Sequence, residues 1–210
     1  MKRTRIALIL FGGLLFTTLN TAEAWEYFYS QPRIMAGGEI GMFRISLDQF
    51  EDIYTSRWGE SLGGFAGVRI TRAYYFTCKY GQFSQNGKTG KHPESGANLS
   101  RSRWEEEWYQ FGVRVHPPIT RKFNSYYGFG ISYFKTSEVD QLSVFTLNKT
   151  SENTGSGFYM ELGFEYFPVQ YLAAYLQMEV SSGGVKGNTG FESMSIGGFR
   201  FTAGVSVWPF

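Results

Sequence analysis

Phe158-Tyr159-Met160-Glu161-Leu162-Gly163-Phe164-Glu165-Tyr166 alternates without a break. Its even positions are all large and apolar. Its odd positions carry Glu161, Gly163 and Glu165. Successive side chains of a strand leave on opposite faces, so a period of two is the mark of a β-strand with unlike faces. The next run, Leu172-Ala173-Ala174-Tyr175-Leu176-Gln177-Met178-Glu179-Val180, repeats the pattern, with Gln177 and Glu179 on its polar face. Pro168 to Tyr171 separates the two runs, which makes them a hairpin.

The same reading extends over the chain. Strands are expected near 33–46, 61–71, 74–84, 104–116, 125–135, 157–167, 171–181 and 194–208, eight in all. Aromatic residues make up 19% of the sequence and there are 26 Gly against 6 Pro, a balance that suits twisted sheet better than helix. The connections alternate in length. Short ones fall at 72–73, 117–124 and 168–170; long ones fall at 47–60, 85–103, 136–156 and 182–193. Short turns at one end and long loops at the other are the pattern of a membrane barrel, and the strands are long enough to cross a bilayer at a tilt.

The N-terminus supplies the compartment. Lys2, Arg3 and Arg5 precede an apolar run from Ile6 to Phe16, and Thr21-Ala22-Glu23-Ala24 closes with small residues. This is the arrangement of a secretory signal peptide over 1–24, cleaved after Ala24, leaving 25–210 as one barrel domain. The apolar run is too short for a spanning helix, which needs about 20 such residues. Cys78 is the sole cysteine, so no internal disulfide forms, and a formal charge of +2 gives no argument for nucleic acid.

In lipid every backbone N–H and C=O needs a partner, and closure of the sheet removes its edges. The apolar faces then look outward. The inward positions include Glu39, Arg69, Lys79, Arg114, Glu161, Glu165, Glu179 and Arg200, four acids and four bases. Gly41, Gly67, Gly112, Gly128 and Gly163 also fall on the inward face, and the pairs Gly37…Gly41 and Gly63…Gly67 are expected to ease strand bending. The alternative is a soluble lipocalin-like barrel, which would have to bury all eight charges in its interior without a ligand, and that is costly. A barrel of this size has a lumen just wide enough for side chains, so opposed charges either pair as a structural core or switch partners as a gate.

With these features in place, the chain resembles the small eight-stranded bacterial outer-membrane barrels of the OmpA and OmpX kind. The residues that carry the resemblance are 157–166 with its short turn, the closing strand 197–205 and the terminal Phe210. The resemblance implies an all-β, antiparallel, up-and-down transmembrane barrel in a Gram-negative outer membrane. It also implies that the barrel-assembly machinery reads Phe210 and that both termini are periplasmic. The apolar phase of the last strand is odd (Phe199, Phe201, Ala203, Val205, Val207), whereas Phe210 is even. A bend at Pro209 would return Phe210 to the lipid side.

Three functions are open to such a chain: envelope support or surface interaction through the loops, narrow porin-like transport, and rim enzymology on lipid A. His92 with Glu94 and Ser95 is the single stretch that offers an acid, a base and a nucleophile, and His116 precedes Pro117 at a turn. No zinc, nucleotide or thiol-redox motif is present, so neither cofactor nor metal is expected. Lys88, Lys91, Arg101 and Arg103 are placed to meet lipopolysaccharide phosphates. Trp104 and Trp108 are expected in an interfacial belt. The loop 136–156, with Leu142, Val144, Phe145 and Leu147, is a candidate extension of the sheet or a partner contact.

Overall fold

The computed structural model describes residues 33–47, 50–71, 73–87, 90–91, 98–117, 122–142, 148–185 and 194–209. The signal segment, Lys88, His92, Glu94, Ser95, Val144, Phe145, Leu147 and Phe210 lie outside them. Eight long strands run antiparallel: β1 (Ile34–Ile45), β2 (Trp58–Arg69), β3 (Tyr74–Asn86), β5 (Asn98–Val115), β6 (Phe123–Leu142), β7 (Asn148–Val169), β8 (Leu172–Val185) and β10 (Gly198–Val207). Two short strands, β4 (Gly90–Lys91) and β9 (Met194–Ile196), pair with β5 and β8 near the loop end. One helical turn, α1 (Phe50–Ile53), follows β1.

Closure is made by β1 against β10, in register from Ala36↔Val207 to Ile45↔Gly198. Each long strand therefore has two neighbours, and an all-antiparallel eight-stranded barrel results.

The alternation read from the sequence sorts the faces as expected. Ile40, Phe129, Ile131, Phe158, Met160, Phe164, Leu176 and Val180 all stand exposed on the outside. The neighbouring rings of Tyr80, Tyr109 and Tyr133 mark the upper edge of this apolar band. Beyond them the outward positions turn polar, with Gln82, Glu107 and Lys135 in register across β3, β5 and β6. Cys78 is exposed on the outer face between Phe76 and Tyr80.

Of the two readings of 136–156, the structure has the extension of the sheet: β6 and β7 stay in register up to Gln141↔Asn148. Polar residues on both faces suit a ladder standing in water, so their composition did not mark them as strand. From Tyr133 to Leu142 the strand runs about 30 Å along its own axis past the tyrosine row. Three inward glycines acquire a role from their neighbours. A Cβ on Gly81 would enter the Trp108 indole, one on Gly163 the Tyr126 ring, and one on Gly128 would lie 2.6 Å from Glu161 Oε1. They are seats for large side chains of the adjacent strand.

Two outcomes follow. Phe129→Lys, on the lipid face, should cost about 2–4 kcal/mol in reversible unfolding from lipid vesicles. Gly163→Val should unseat Tyr126 and prevent refolding, read as loss of the heat-dependent gel shift; a normal shift would refute the seat.

Candidate functional site

The lumen is filled in three layers. Its middle layer rests on one row of the register. Arg114, Gly128, Glu161, Glu179 and Arg200 are successive partners across β5, β6, β7, β8 and β10. Gly128 leaves space where a side chain would separate Arg114 from Glu161. The guanidinium and the carboxylate therefore meet over it, with Nε to Oε1 at 2.8 Å and Nη2 to Oε2 at 3.1 Å. This is a bidentate pair, the strongest form of such a contact. The faces of the Arg114 guanidinium are covered by Phe65 at 4.4 Å and Tyr126 at 4.2 Å.

Lys79 reaches the same row from β3. Its Nζ donates to Glu161 Oε2 at 2.7 Å and to Glu179 Oε2 at 2.6 Å. Arg200 donates to Glu179 Oε2 at 2.5 Å and approaches Glu39 Oε1 at 3.2 Å. Gln110 donates to Glu179 Oε1, and Tyr175 donates to Glu39 Oε2. Three carboxylates thus face three cations, and all six side chains are buried. Neutrality is what permits this many charges in a dry space.

The other two predicted interior charges lie elsewhere. Glu165 is buried lower, its Oε2 3.4 Å from His116 Nδ1. Arg69 ends β2 on the inward phase, half-buried at the short-turn mouth. It begins the same diagonal row that passes through Tyr75 to Arg114, and strand tilt carries that row upward from it.

The lower layer is aromatic. Trp208, Tyr75, Phe167 and His116 pack ring against ring at 5.1–5.6 Å. His116, expected at the turn, is therefore buried inside the barrel, because the even phase of β5 continues one step past Val115. The upper layer is also aromatic. Phe43, Phe50, Tyr54, Phe83, Trp104, Trp108 and Phe134 form one cluster with Ile45 and Ile196. Trp104 and Trp108 share the even, inward phase of Gln110 and Arg114, so they fill the lumen and do not join a belt. The turn α1 brings Phe50 and Tyr54 in from the first loop, stacked at 4.3 Å, with Phe50 edge-on to Trp104 at 5.6 Å.

Sequence reasoning missed one buried acid. Glu106 sits between the two tryptophans on the inward phase of β5 and is fully buried. The run Trp-Glu-Glu-Glu-Trp reads as a solvated charge cluster, but its alternation puts Glu105 and Glu107 outside and Glu106 inside.

This architecture defines the class: a small, closed, eight-stranded barrel of the bacterial outer-membrane type, its lumen occupied by its own side chains. The crystal structure of Neisserial surface protein A is similar, with a TM-score of 0.59 and 16% identity, over 84% of this chain and 97% of that one. The N-terminal β-barrel domain of Pseudomonas aeruginosa OprF gives a TM-score of 0.50 and 12% identity, over 85% and 98%. At such identities the likeness is one of fold. No protein-family model matches the chain, and no curated protein does.

Arg114→Ala should lower stability in detergent by about 3–5 kcal/mol, because buried Glu161 loses its bidentate partner. Arg114→Lys should recover part of this loss, since an ammonium cannot pair bidentately or stack between Phe65 and Tyr126. An unchanged urea midpoint for Arg114→Ala would remove it from the network.

Proposed function

We propose that this chain is a non-enzymatic outer-membrane protein that carries a rigid β-ridge to the cell surface, and that it does not conduct. The observation that carries this reading is the filled lumen. A neutral ion-pair layer lies between two aromatic layers, each a separate obstacle to a hydrated ion. Opening the middle layer would strand at least one charge away from its partner, at a cost of several kcal/mol. The alternative, a narrow gated pore, requires that step.

The ridge is the upper part of β5, β6 and β7. Between Asn148 and Thr154, β7 pairs with β6 while its pairing to β8 begins at Gly155↔Val185. Loops and projecting sheet held on a rigid scaffold are where contact with other molecules concentrates. Export is by cleavage of the signal after Ala24, with assembly read from the C-terminal aromatic.

Contact with lipopolysaccharide belongs to the same reading. Arg103 is exposed above the tyrosine row, held by Glu105 at 2.9 Å and Ser84 at 3.1 Å. A groove of about 800 Å³ on the outer face includes Ile40, Met42, Glu60, Gln82, Arg103 and Glu107. It is apolar below and charged above, as a lipid headgroup boundary requires. Lys88 lies outside the described residues, as do the side chains of Lys91 and Arg101.

The test is single-channel recording of the refolded chain in a planar bilayer. A silent membrane is expected, with insertion verified by protease protection. Discrete steps that change on Glu161→Gln would replace this reading with gated transport.

A further inference from the structure

Glu106 is not used by the ion-pair layer. Its carboxyl is buried among Trp104, Trp108, Phe83 and Thr136, and neither oxygen makes a hydrogen bond of full geometry among the described residues. The Trp104 indole and the Gly197 amide face it loosely. Such a group demands an explanation. It lies beyond the tyrosine row, in the part of the barrel that stands outside the bilayer, so water is within one side chain's reach if the cover moves.

The cover is identifiable. The aromatic cluster that encloses Glu106 contains two residues from outside the barrel wall, Phe50 and Tyr54, both on the turn after β1. Among the described residues that turn is held by Tyr54 N–H to Phe50 O at 2.8 Å, Phe50 N–H to Leu47 O at 3.3 Å, a bridge from Tyr54 to Gly87, Thr55 Oγ1 donating to Asn86 O at 3.2 Å and an ion pair of Glu51 with Arg57 at 3.7 Å. Within the cluster its rings pack onto Trp104 and Phe83. Aromatic pairs each contribute about 0.5–1.5 kcal/mol. The turn is thus the part of the cluster that is not built into the long strands of the wall.

We infer that the upper plug is a proton-controlled closure, in which a neutral Glu106 lets the Phe50–Tyr54 turn seal the extracellular mouth and an ionised Glu106 releases it. Burial pushes the Glu106 carboxyl up to about 7, with the Trp104 indole and the Gly197 amide acting weakly the other way. The sign follows from the raised value. The closed state binds the proton more tightly than an open or unfolded one. Closure is therefore fully favoured below the usual carboxylate range and is lost as pH rises through about 7. Other titratable groups on the surrounding elements do not supply this response. Arg200 lies beyond the Trp108 ring and is tied to Glu179 and Glu39. Lys79 is tied to Glu161 and Glu179. Glu51 on the turn is paired with Arg57, outside the cluster.

Release of the turn exposes Trp104 and leaves the ion-pair layer in place, so the barrel stays closed to ions. The proposal therefore stands or falls apart from the conductance result.

The experiment is acrylamide quenching of tryptophan in the refolded full chain in micelles, from about pH 5.5 to about pH 8.5. The wild type should show a quenching constant that rises roughly twofold with a midpoint near 7. Glu106→Gln should stay at the low value throughout. Phe50→Ala should give the high value at both ends, because its cover is gone. A flat wild-type profile, an equal rise in Glu106→Gln, or a Phe50→Ala variant as protected as wild type at acid pH would each overturn the closure.

Discussion

The backbone's need for hydrogen-bond partners in lipid is the constraint on which everything else rests. A strand in hydrocarbon has no water to satisfy its N–H and C=O groups, so the sheet must close. Here β1 meets β10 in a ladder as regular as any in the barrel. Closure with eight strands leaves a lumen only about as wide as the side chains that point into it. The interior is then a packing problem, and the residue types on the inward phase solve it.

They solve it by pairing large with absent. Trp108 lies over Gly81, Tyr126 over Gly163 and Glu161 over Gly128. The last of these has an electrostatic consequence. Because Gly128 occupies the step between Arg114 and Glu161, the two charges meet across it. Removing the carbon between them is as necessary to the ion pair as the charges themselves. The middle layer is neutral because three cations find three carboxylates within about one hydrogen-bond length. The aromatic layers above and below keep water from competing for them.

Glu106 departs from this logic in an instructive way. It carries a charge-bearing group on the inward phase with no cation opposite. It lies where the barrel has left the bilayer and where a loop segment, not the wall, supplies the enclosing rings. A sealed mouth and a stable ion-pair layer are therefore separate devices, one tied to loop packing and protonation, the other to the wall itself. Surface-directed roles place their demands on the first and on the projecting sheet, and the second supplies the rigid base.

Period-two alternation determined much of this protein before any tertiary contact was known. It gave the eight strands, the lipid face and the inward assignment of Glu39, Lys79, Arg114, Glu161, Glu179 and Arg200, because a strand's faces are set by local geometry alone. Phase also held the answer for Trp104, Trp108 and Glu106, but composition argued the other way, and a Trp-flanked acidic run reads as surface. What alternation cannot carry is which side chains meet. Partner choice depends on register and tilt, properties of neighbouring strands and not of any one of them. Only the folded barrel brings Lys79 to Glu161, sends His116 to Glu165 and turns Phe50 and Tyr54 inward from a loop. Only it converts a polar stretch after Tyr133 into a ladder above the membrane, because there the two strands hold each other and no apolar face is needed to mark them.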